Sequence, residues 1–374
     1  MVDTIGTMIL VMIQILILLE ATPMNPDVDN ATIHYGRDIR PILSDRCFHC
    51  HGPDDEARQA SLRLDLPESA TTTNGRRQAI VPGDAAASAV WQRISSLDPN
   101  DQMPPPDSGK HRLDEREREL IRQWIEEGAI YEAHWSFEPL VKPQVPELKE
   151  DRWSRNEIDR FILQAASRNG YVPNEEADRA TLARRLFLDL TGLPPSTDEL
   201  NGFLNDERAD AYVILVDRLL NEEPYRTRYA ERMATPWLDL ARYGDTSGIH
   251  MDAGRSIWPW RDWVIEAYRR NMPFDEFVID QLAGDLVDQP TPEQIIASGF
   301  NRNHVTSDEG GAIDDEYRLM YAIDRTNTVG SVFLGMTVGC AQCHDHKFDP
   351  ISIDEYYSLL AFFNNNEEPG IYSQ

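Results

Sequence analysis

Basic residues are scarce in this chain. Lysine and arginine together number 36, against 64 aspartates and glutamates, and the formal net charge is -28. A surface of this charge repels nucleic-acid phosphates, and no cluster of basic residues interleaved with aromatic side chains offsets the repulsion. A nucleic-acid-binding role is therefore excluded. The acidity predicts a solubilising surface, or one that attracts a basic partner or cations.

Long apolar runs are also lacking, apart from one at the N-terminus. Met8–Leu19 is apolar except for Gln14 and is 12 residues long, whereas a helix needs about 20 residues to cross a bilayer. The length suits the core of a signal peptide. We therefore expect residues 1–24 to be a signal peptide or an N-terminal hydrophobic segment, and the protein to be exported to the periplasm or cell envelope. Asp3 and the absence of Lys and Arg before the run leave membrane anchoring by this segment, or a plain hydrophobic helix, as alternatives.

Strand-type alternation of any length is missing after Arg152, where apolar residues recur at spacings of three and four. The sequence predicts a mainly α protein, with a small helical domain at 31–135 and a larger all-helical domain at 153–374. Prolines and lysines in 136–152 favour an extended linker between the two. A chain of 374 residues is long enough for such a division. Within the larger domain, "TGLPPSTDEL" predicts a helix stop and a restart, with Glu199 completing a capping box with Ser196.

Cysteines are few, and all four lie in two similar motifs. "SDRCFHCHGPDD" contains Cys47, Cys50 and His51, and the later "VGCAQCHDHKFDP" contains Cys340, Cys343 and His344. In a helical turn, the two thiols and the imidazole of such a motif project toward one object. Two thiols can add across the vinyl groups of a haem while the adjacent imidazole coordinates its iron. The first motif therefore predicts one haem c, and its repetition predicts a second.

Two other uses of the cysteines are open on this evidence. The two pairs could form one Cys₄ zinc site, although such a site gives no reason for a histidine after each pair. Histidine accounts for only 9 of the 374 residues, so chance rarely places one after both pairs. Each pair could instead form a disulfide, as in thioredoxin-like proteins, but no βαβ pattern surrounds either motif.

A c-type haem iron commonly takes a second axial ligand, most often Met or His. For the first haem the candidate is Met103, which "NDQMPPPD" places in a proline-stiffened loop; the alternative is a methionine that fills an apolar gap. For the second haem the first candidate is His304, although a lone histidine is often a hydrogen-bonded structural residue. His346 lies too close to His344 to reach the opposite face, so we expect it to make a local hydrogen bond. The other candidates are His250, Met251 and Met336.

Acidic runs such as "SDEGGAIDDE" and the aromatic group in "SIWPWRDWV" invite an enzymatic interpretation. No EF-hand pattern or nucleophile elbow accompanies the carboxylates, and Trp258, Trp260 and Trp263 are expected to be core residues. Electron transfer to a redox partner protein is therefore favoured over catalysis. A dihaem oxidoreductase, a haem-coupled enzyme acting on carbohydrate and a zinc- or disulfide-stabilised binding module are the alternatives.

Several long stretches resemble a known family. "DIRPILSDRCFHCHGPDDEARQASLRLD" and "QMPPPDSGKHRL" are similar to the planctomycete-type cytochrome c domain. "LARRLFLDLTGLPPSTDEL" and "FLGMTVGCAQCHDHKFDPISIDEYYSLLAFFNN" are similar to the helical domain that follows it in the same family. The resemblance implies an exported protein with covalently bound haem at Cys47, Cys50 and His51, with Met103 at the family's Met-Pro position and Cys340, Cys343 and His344 at the second cysteine motif. Members commonly continue into a further C-terminal domain, so it also implies a fragment, a short form or half of a split gene.

Overall fold

The computed structural model of the protein describes residues 33–74, 77–149 and 151–372. The hydrophobic segment in residues 1–24, predicted to direct export, lies outside these described residues. Within the described ranges, no helix is both long enough and apolar enough to cross a membrane.

The prediction of a mainly α protein is confirmed. The α-helices of the described ranges are Arg40–Arg46, Phe48–His51, Pro67–Thr71, Ala89–Ser95, Glu115–Glu126, Glu157–Arg168, Arg179–Thr191, Thr197–Leu204, Ala211–Asn221, Tyr225–Leu240, Trp258–Arg269, Phe274–Ala283, Pro292–Ala297, Asp314–Phe333 and Ile353–Leu360. One π-helical turn spans Tyr35–Ile39, and 3₁₀ turns span Trp135–Phe137, Ser298–Arg302 and Val338–Gln342. A small antiparallel hairpin pairs Thr73–Asn74 with Arg77–Gln78.

The chain divides into two compact units. Unit 1 contains the residues up to Pro139 together with Gly335–Asn365, and unit 2 contains Leu140–Leu334 and Asn366–Gln374. The boundary after Pro139 falls inside the stretch 136–152 that the sequence marks as a linker. The sequence pattern assigns the second cysteine motif to the later domain, 153–374, whereas in the structure this motif packs within unit 1. Nothing in the local sequence signals that return of the chain.

Unit 1 is organised around one hydrophobic core, to which the helix Glu115–Glu126 contributes Ile121, Trp124 and Ile125. The helix begins where Asp114 accepts a hydrogen bond from the backbone N–H of Glu117 and the Glu117 side chain accepts one from the Asp114 backbone. This reciprocal capping satisfies two amide groups that a helix start leaves unpaired. The capped helix therefore forms part of the core against which the segment with the first cysteine motif packs.

Unit 2 follows the local signals in its sequence closely. Gly192 adopts a left-handed conformation, with φ of 70°, and ends the helix Arg179–Thr191. Ser196 and Glu199 then form the predicted capping box at the start of Thr197–Leu204. Both features are confirmed where "TGLPPSTDEL" predicts them.

Aromatic side chains dominate one core of unit 2. The Trp237 ring packs edge-on against Phe277 at 4.9 Å between centroids, and Trp263 stacks on Phe277 at 5.5 Å. Trp260 is 1% exposed and Trp263 is 6% exposed, as expected for core residues. Trp258, by contrast, is 51% exposed, so the expectation that all three tryptophans are buried is wrong for Trp258. Trp258 is the first residue of its helix, and the buried side chains of that helix begin at Trp260.

Candidate functional site

The first cysteine motif forms a tight helical turn in unit 1. Cys47 joins the helices Arg40–Arg46 and Phe48–His51, and its carbonyl accepts hydrogen bonds from the backbone N–H groups of Cys50, at 3.1 Å, and His51, at 2.8 Å. Residues three and four apart on such a turn lie on one face. The two thiols and the imidazole therefore have the helical arrangement on which the sequence argument depends.

The thiols of this motif are unbonded and partly shielded from solvent. Cys47 and Cys50 are both half-buried free cysteines. Cys47 packs against the hydrophobic core of unit 1, and burial raises its pKa to about 12. The neutral thiol is therefore the form present at physiological pH, and this cysteine lacks the properties of a thiolate nucleophile or a disulfide-exchange centre.

Among the residues of the first motif, His51 has the environment that most favours a bound ligand. Its Nδ1 atom is buried and has no hydrogen-bond partner. Burial lowers the pKa of His51, and the backbone of Gln59 opposes this shift only partly. A neutral imidazole with an unsatisfied buried nitrogen is costly in a folded protein unless something binds the ring. With two free thiols on the same turn, the first motif fits a covalently attached haem with His51 as an axial ligand.

Met103 packs against the same hydrophobic core as Cys47. Its backbone N–H donates to the carbonyl of Arg93 at 3.1 Å, and the following Pro104 is buried. The Gln102 side chain donates to the Pro104 carbonyl at 3.2 Å and ties the loop to itself. Both Cys47 and Met103 thus border one apolar region of unit 1. Ligation by Met103 stays a prediction.

The second cysteine motif is far more open. Cys340 and Cys343 are exposed free cysteines at the 3₁₀ turn Val338–Gln342. His344 is exposed as well, and its Nδ1 lies 2.7 Å from the carbonyl oxygen of Asp345, to which it donates. A backbone acceptor at Nδ1 fixes the tautomer that carries its lone pair on Nε2, which is the form required of a metal-binding imidazole. The motif supplies suitable donors, but it lacks the apolar shielding of the first.

His346 makes the local contacts predicted for it. Its Nδ1 accepts hydrogen bonds from the backbone N–H groups of Asp349, at 2.8 Å, and Phe348, at 3.2 Å. Its ring is therefore occupied in shaping the loop that follows His344, and the prediction is confirmed.

The loop after His344 is held against the helix that precedes Cys47. Lys347 Nζ lies 2.6 Å from Asp45 Oδ1, and the Ser44 hydroxyl donates to the Lys347 carbonyl. Arg40 Nε donates to the carbonyl of Phe348 at 2.8 Å. The hydrogen bond from Lys347 lowers the pKa of Asp45 and outweighs the opposing effect of its partial burial. The anchor points are two residues before Cys47 and three after His344, so the two motifs belong to one structural assembly.

A pocket of about 640 Å³ lies in unit 1 beside both motifs. Its lining includes His49 from the first motif and His344 from the second. Four cationic side chains border it although the chain as a whole is strongly acidic: Arg40, Arg63, Lys110 and Lys347. The carboxylates that also line it are Asp54, Asp65, Asp345, Asp349 and Glu355. The charged residues leave the pocket close to electrical balance.

His304 has a different environment from the one predicted for an iron ligand. It is fully buried in unit 2, whereas Cys340, Cys343 and His344 belong to unit 1. Its Nδ1 donates to the Val305 carbonyl at 2.9 Å, and its Nε2 accepts from the Arg325 guanidinium at 2.6 Å. With both ring nitrogens engaged, the residue has the structural role that the sequence left open as the alternative to ligation.

This histidine is part of a buried ionic network that sequence reasoning missed. Glu368 Oε2 lies 2.6 Å from an Arg325 nitrogen and 3.2 Å from His304 Nε2, and Arg325 and Glu368 are each 2% exposed. Burial raises the pKa of Glu368, but the contacts with His304 and Arg325 outweigh it and lower the pKa to about 2. In the sequence these residues are indistinguishable from surface charges.

No group of three or more histidine, cysteine, aspartate or glutamate side chains in the described ranges is arranged to hold a metal ion. The four cysteines, all of which are described, are therefore not preassembled as a tetrahedral site. The structure gives no support to the Cys₄ zinc alternative.

Two family models match the chain. The model described as planctomycete cytochrome C matches residues 47–107, and the model described as a protein of unknown function, DUF1549, matches residues 157–368. The second match covers more than half of the chain and ends beyond the second cysteine motif. No curated protein and no solved structure matches the chain.

Proposed function

Because the chain belongs to the family that joins a planctomycete cytochrome c domain to the DUF1549 helical domain, we propose that it is an exported c-type cytochrome that transfers single electrons. The observation that carries the proposal is His51, a half-buried imidazole whose buried Nδ1 atom has no hydrogen-bond partner, on the same helical turn as two free thiols. Burial lowers the pKa of His51 and so favours the neutral imidazole, which can coordinate iron without first losing a proton.

The residues of the first motif have distinct tasks in this proposal. Cys47 and Cys50 would each add S–H across a vinyl group and so hold the cofactor covalently. His51 and Met103 would coordinate its iron. Haem c supplies a one-electron Fe(II)/Fe(III) couple when bound. The apolar core next to Cys47 lowers the local dielectric constant. The local dielectric constant is one of the factors through which a protein sets the reduction potential.

The second motif would hold a second haem through Cys340, Cys343 and His344. Support comes from the Asp345 carbonyl, which fixes the His344 tautomer, and from the contacts of Lys347 with the helix before Cys47. Two redox centres within one compact unit could exchange electrons without a separate docking event. The acidic surface suits a redox partner with a basic face, because complementary charge speeds association.

We expect Cys340→Ser with Cys343→Ser to halve the covalent haem content, and Cys47→Ser with Cys50→Ser to remove the other half. The reason is that each pair would supply the thioether bonds of its own haem. The proteins are produced in a host with haem c maturation, and haem per chain is measured after denaturation. The two double variants are matched controls for each other. If loss of Cys340 and Cys343 leaves the haem content unchanged, the second motif holds none.

A dihaem oxidoreductase is the second candidate, and the exposure of His344 favours it, since an exposed proximal ligand suits a haem with an open position. Carbon monoxide binding to the reduced protein distinguishes the two. A pure electron carrier with two six-coordinate centres should give unchanged spectra, whereas an enzyme should bind carbon monoxide at one haem. That response should disappear in the variant lacking Cys340 and Cys343.

A further inference from the structure

Unit 2 contains a pocket of about 800 Å³ that the cytochrome function does not use. Its lining includes the apolar residues Ile257, Pro259, Trp260 and Ile296 and the cationic residues Arg255 and Arg302. The volume lies within the range of sites for small organic molecules, which are mostly apolar with a few fixed polar groups. The pocket therefore has the general character of a ligand site.

Two buried polar groups in the lining have no partner within the protein. The Ser247 hydroxyl and the Trp260 Nε1–H group are buried without a hydrogen bond, in side chains that are 8% and 1% exposed. Buried polar groups are nearly always paired, and an unpaired one costs about 1–3 kcal/mol. A ligand that accepts hydrogen bonds would remove this cost. Both groups can donate, so the site calls for an acceptor.

The charges around the pocket also favour a ligand that accepts hydrogen bonds, and specifically one with a negative charge. Each nitrogen of the Arg255 guanidinium donates to a backbone carbonyl, at 2.7, 3.0 and 3.1 Å, and Arg255 forms no ion pair with a carboxylate among the described residues. Arg302 pairs with Glu368 at 3.1 Å, but Glu368 is shared with Arg325. Guanidinium groups thus outnumber carboxylates here, in a chain whose net charge is -28.

Arg242, which pairs with Asp324, lies close enough to Arg255 and Arg325 for their charges to affect it. Burial lowers the pKa of Arg242 to about 10, and the charges of Arg325 and Arg255 lower it further in the same direction. Crowding of this kind disfavours each cation and favours any anion that enters.

The pocket wall is built from paired backbone. Gly248 and Thr306 form a bridge, Ser307 and Ile371 form another, and Tyr372 N–H donates to the Ser307 carbonyl at 2.8 Å. A wall held by main-chain hydrogen bonds needs little reorganisation to receive a ligand, which lowers the entropic cost of binding.

We propose that this pocket binds a small organic monoanion, a carboxylate on an apolar body, with the carboxylate accepting hydrogen bonds from Arg255, Ser247 and the Trp260 Nε1–H group and the body against Ile257 and Ile296. The lining carries two guanidinium groups and the Asp308 carboxylate, so a single negative charge balances it. The site is independent of either cysteine motif, and its occupancy does not depend on the cytochrome proposal.

The test uses benzoate as the probe and calorimetric titration of the full chain. Wild type should bind benzoate saturably, and neutral benzamide about 10-fold or more weakly, because a charge-assisted hydrogen bond is lost. Ile296→Trp fills the pocket without altering its charges and should abolish binding. Arg255→Gln should weaken benzoate binding about 10-fold or more but leave benzamide binding nearly unchanged.

The control variant is Arg318→Gln. Arg318 is an exposed arginine of unit 2 that forms an ion pair with Asp314 at 3.0 Å, and it is not part of the pocket lining. It should bind benzoate as wild type does. Three results would each overturn the proposal: no saturable benzoate binding, equal affinity for benzoate and benzamide, or unchanged affinity in Ile296→Trp. If Arg255→Gln fails to fold, Ile296→Trp still tests the proposal. Ile296 is partly exposed and makes no ionic contact, so its replacement should not disturb folding.

Discussion

Replacing Met103 with alanine is expected to open the iron of the first haem to external ligands while the haem stays attached. The proposed covalent bonds at Cys47 and Cys50 would be untouched by the change, and only the proposed ligand Met103 would be lost. Met103→His should instead keep a six-coordinate haem and lower its reduction potential by on the order of 0.1 V, a fraction of the ~0.8 V that axial ligands span. Imidazole stabilises ferric iron more than a thioether does.

The measurements are the sulfur-to-iron charge-transfer band of the oxidised protein and a redox titration. Met233→Ala is the matched control, because Met233 is also a half-buried methionine but lies in the helix Tyr225–Leu240 of unit 2. It should leave both readouts unchanged. If Met103→Ala lowers thermal stability yet leaves the band and the potential as in wild type, Met103 is only a packing residue.

Replacing Glu368 with alanine is expected to destabilise unit 2 by about 3–5 kcal/mol, the usual cost of removing one partner from a buried ion pair. Arg325, 2% exposed, would keep its charge without a counter-ion. Chemical denaturation followed by tryptophan fluorescence measures the loss. The control is Glu293→Ala, since Glu293 is an exposed residue that pairs with Arg270 at 3.6 Å, and it should cost at most about 1 kcal/mol. Equal small effects of the two substitutions would contradict the assignment of Glu368 to a stabilising network.

Acid should weaken the same network in a defined pH range. The pKa of Glu368 is lowered from 4.5 to about 2 in the folded protein, so its contribution is complete above pH 4.5 and is lost as the pH falls toward 2. The pKa of His304 is lowered from 6.5, first by burial, so protonation of the unfolded chain also favours unfolding below pH 6.5. We expect the stability difference between wild type and Glu368→Gln to shrink below about pH 4.5. A difference that grows on acidification would contradict this sign.

Features set by neighbouring residues could be predicted from the sequence. The capping box of Ser196 and Glu199, the stop at Gly192 and the local hydrogen bonds of His346 each depend on residues within a few positions. The helical turn of the first cysteine motif likewise depends on hydrogen bonds between residues within four positions of one another. These predictions succeed because sequence spacing fixes the geometry within one or two turns of a helix.

Features set by distant residues could not be predicted. The pairing of Asp45 with Lys347 and of His304 with Arg325 and Glu368 joins residues that the sequence gives no reason to connect. A charged side chain that will be buried looks the same in sequence as one that will face solvent, and this chain has many. His304 is the first candidate for the second iron on sequence alone, because few other histidines and methionines remain, whereas the structure engages it in a buried ionic network.

The most direct test of the account is the pyridine haemochrome spectrum of the denatured 374-residue chain, purified from a host that attaches haem c. The spectrum reports both the amount of haem and the loss of its vinyl groups, which distinguishes thioether-bound from free haem. We expect two covalently bound haems per chain, one at each of the two Cys-x-x-Cys-His motifs of unit 1. A protein that carries no covalent haem after maturation, with all four cysteines still reactive as free thiols, would contradict the account.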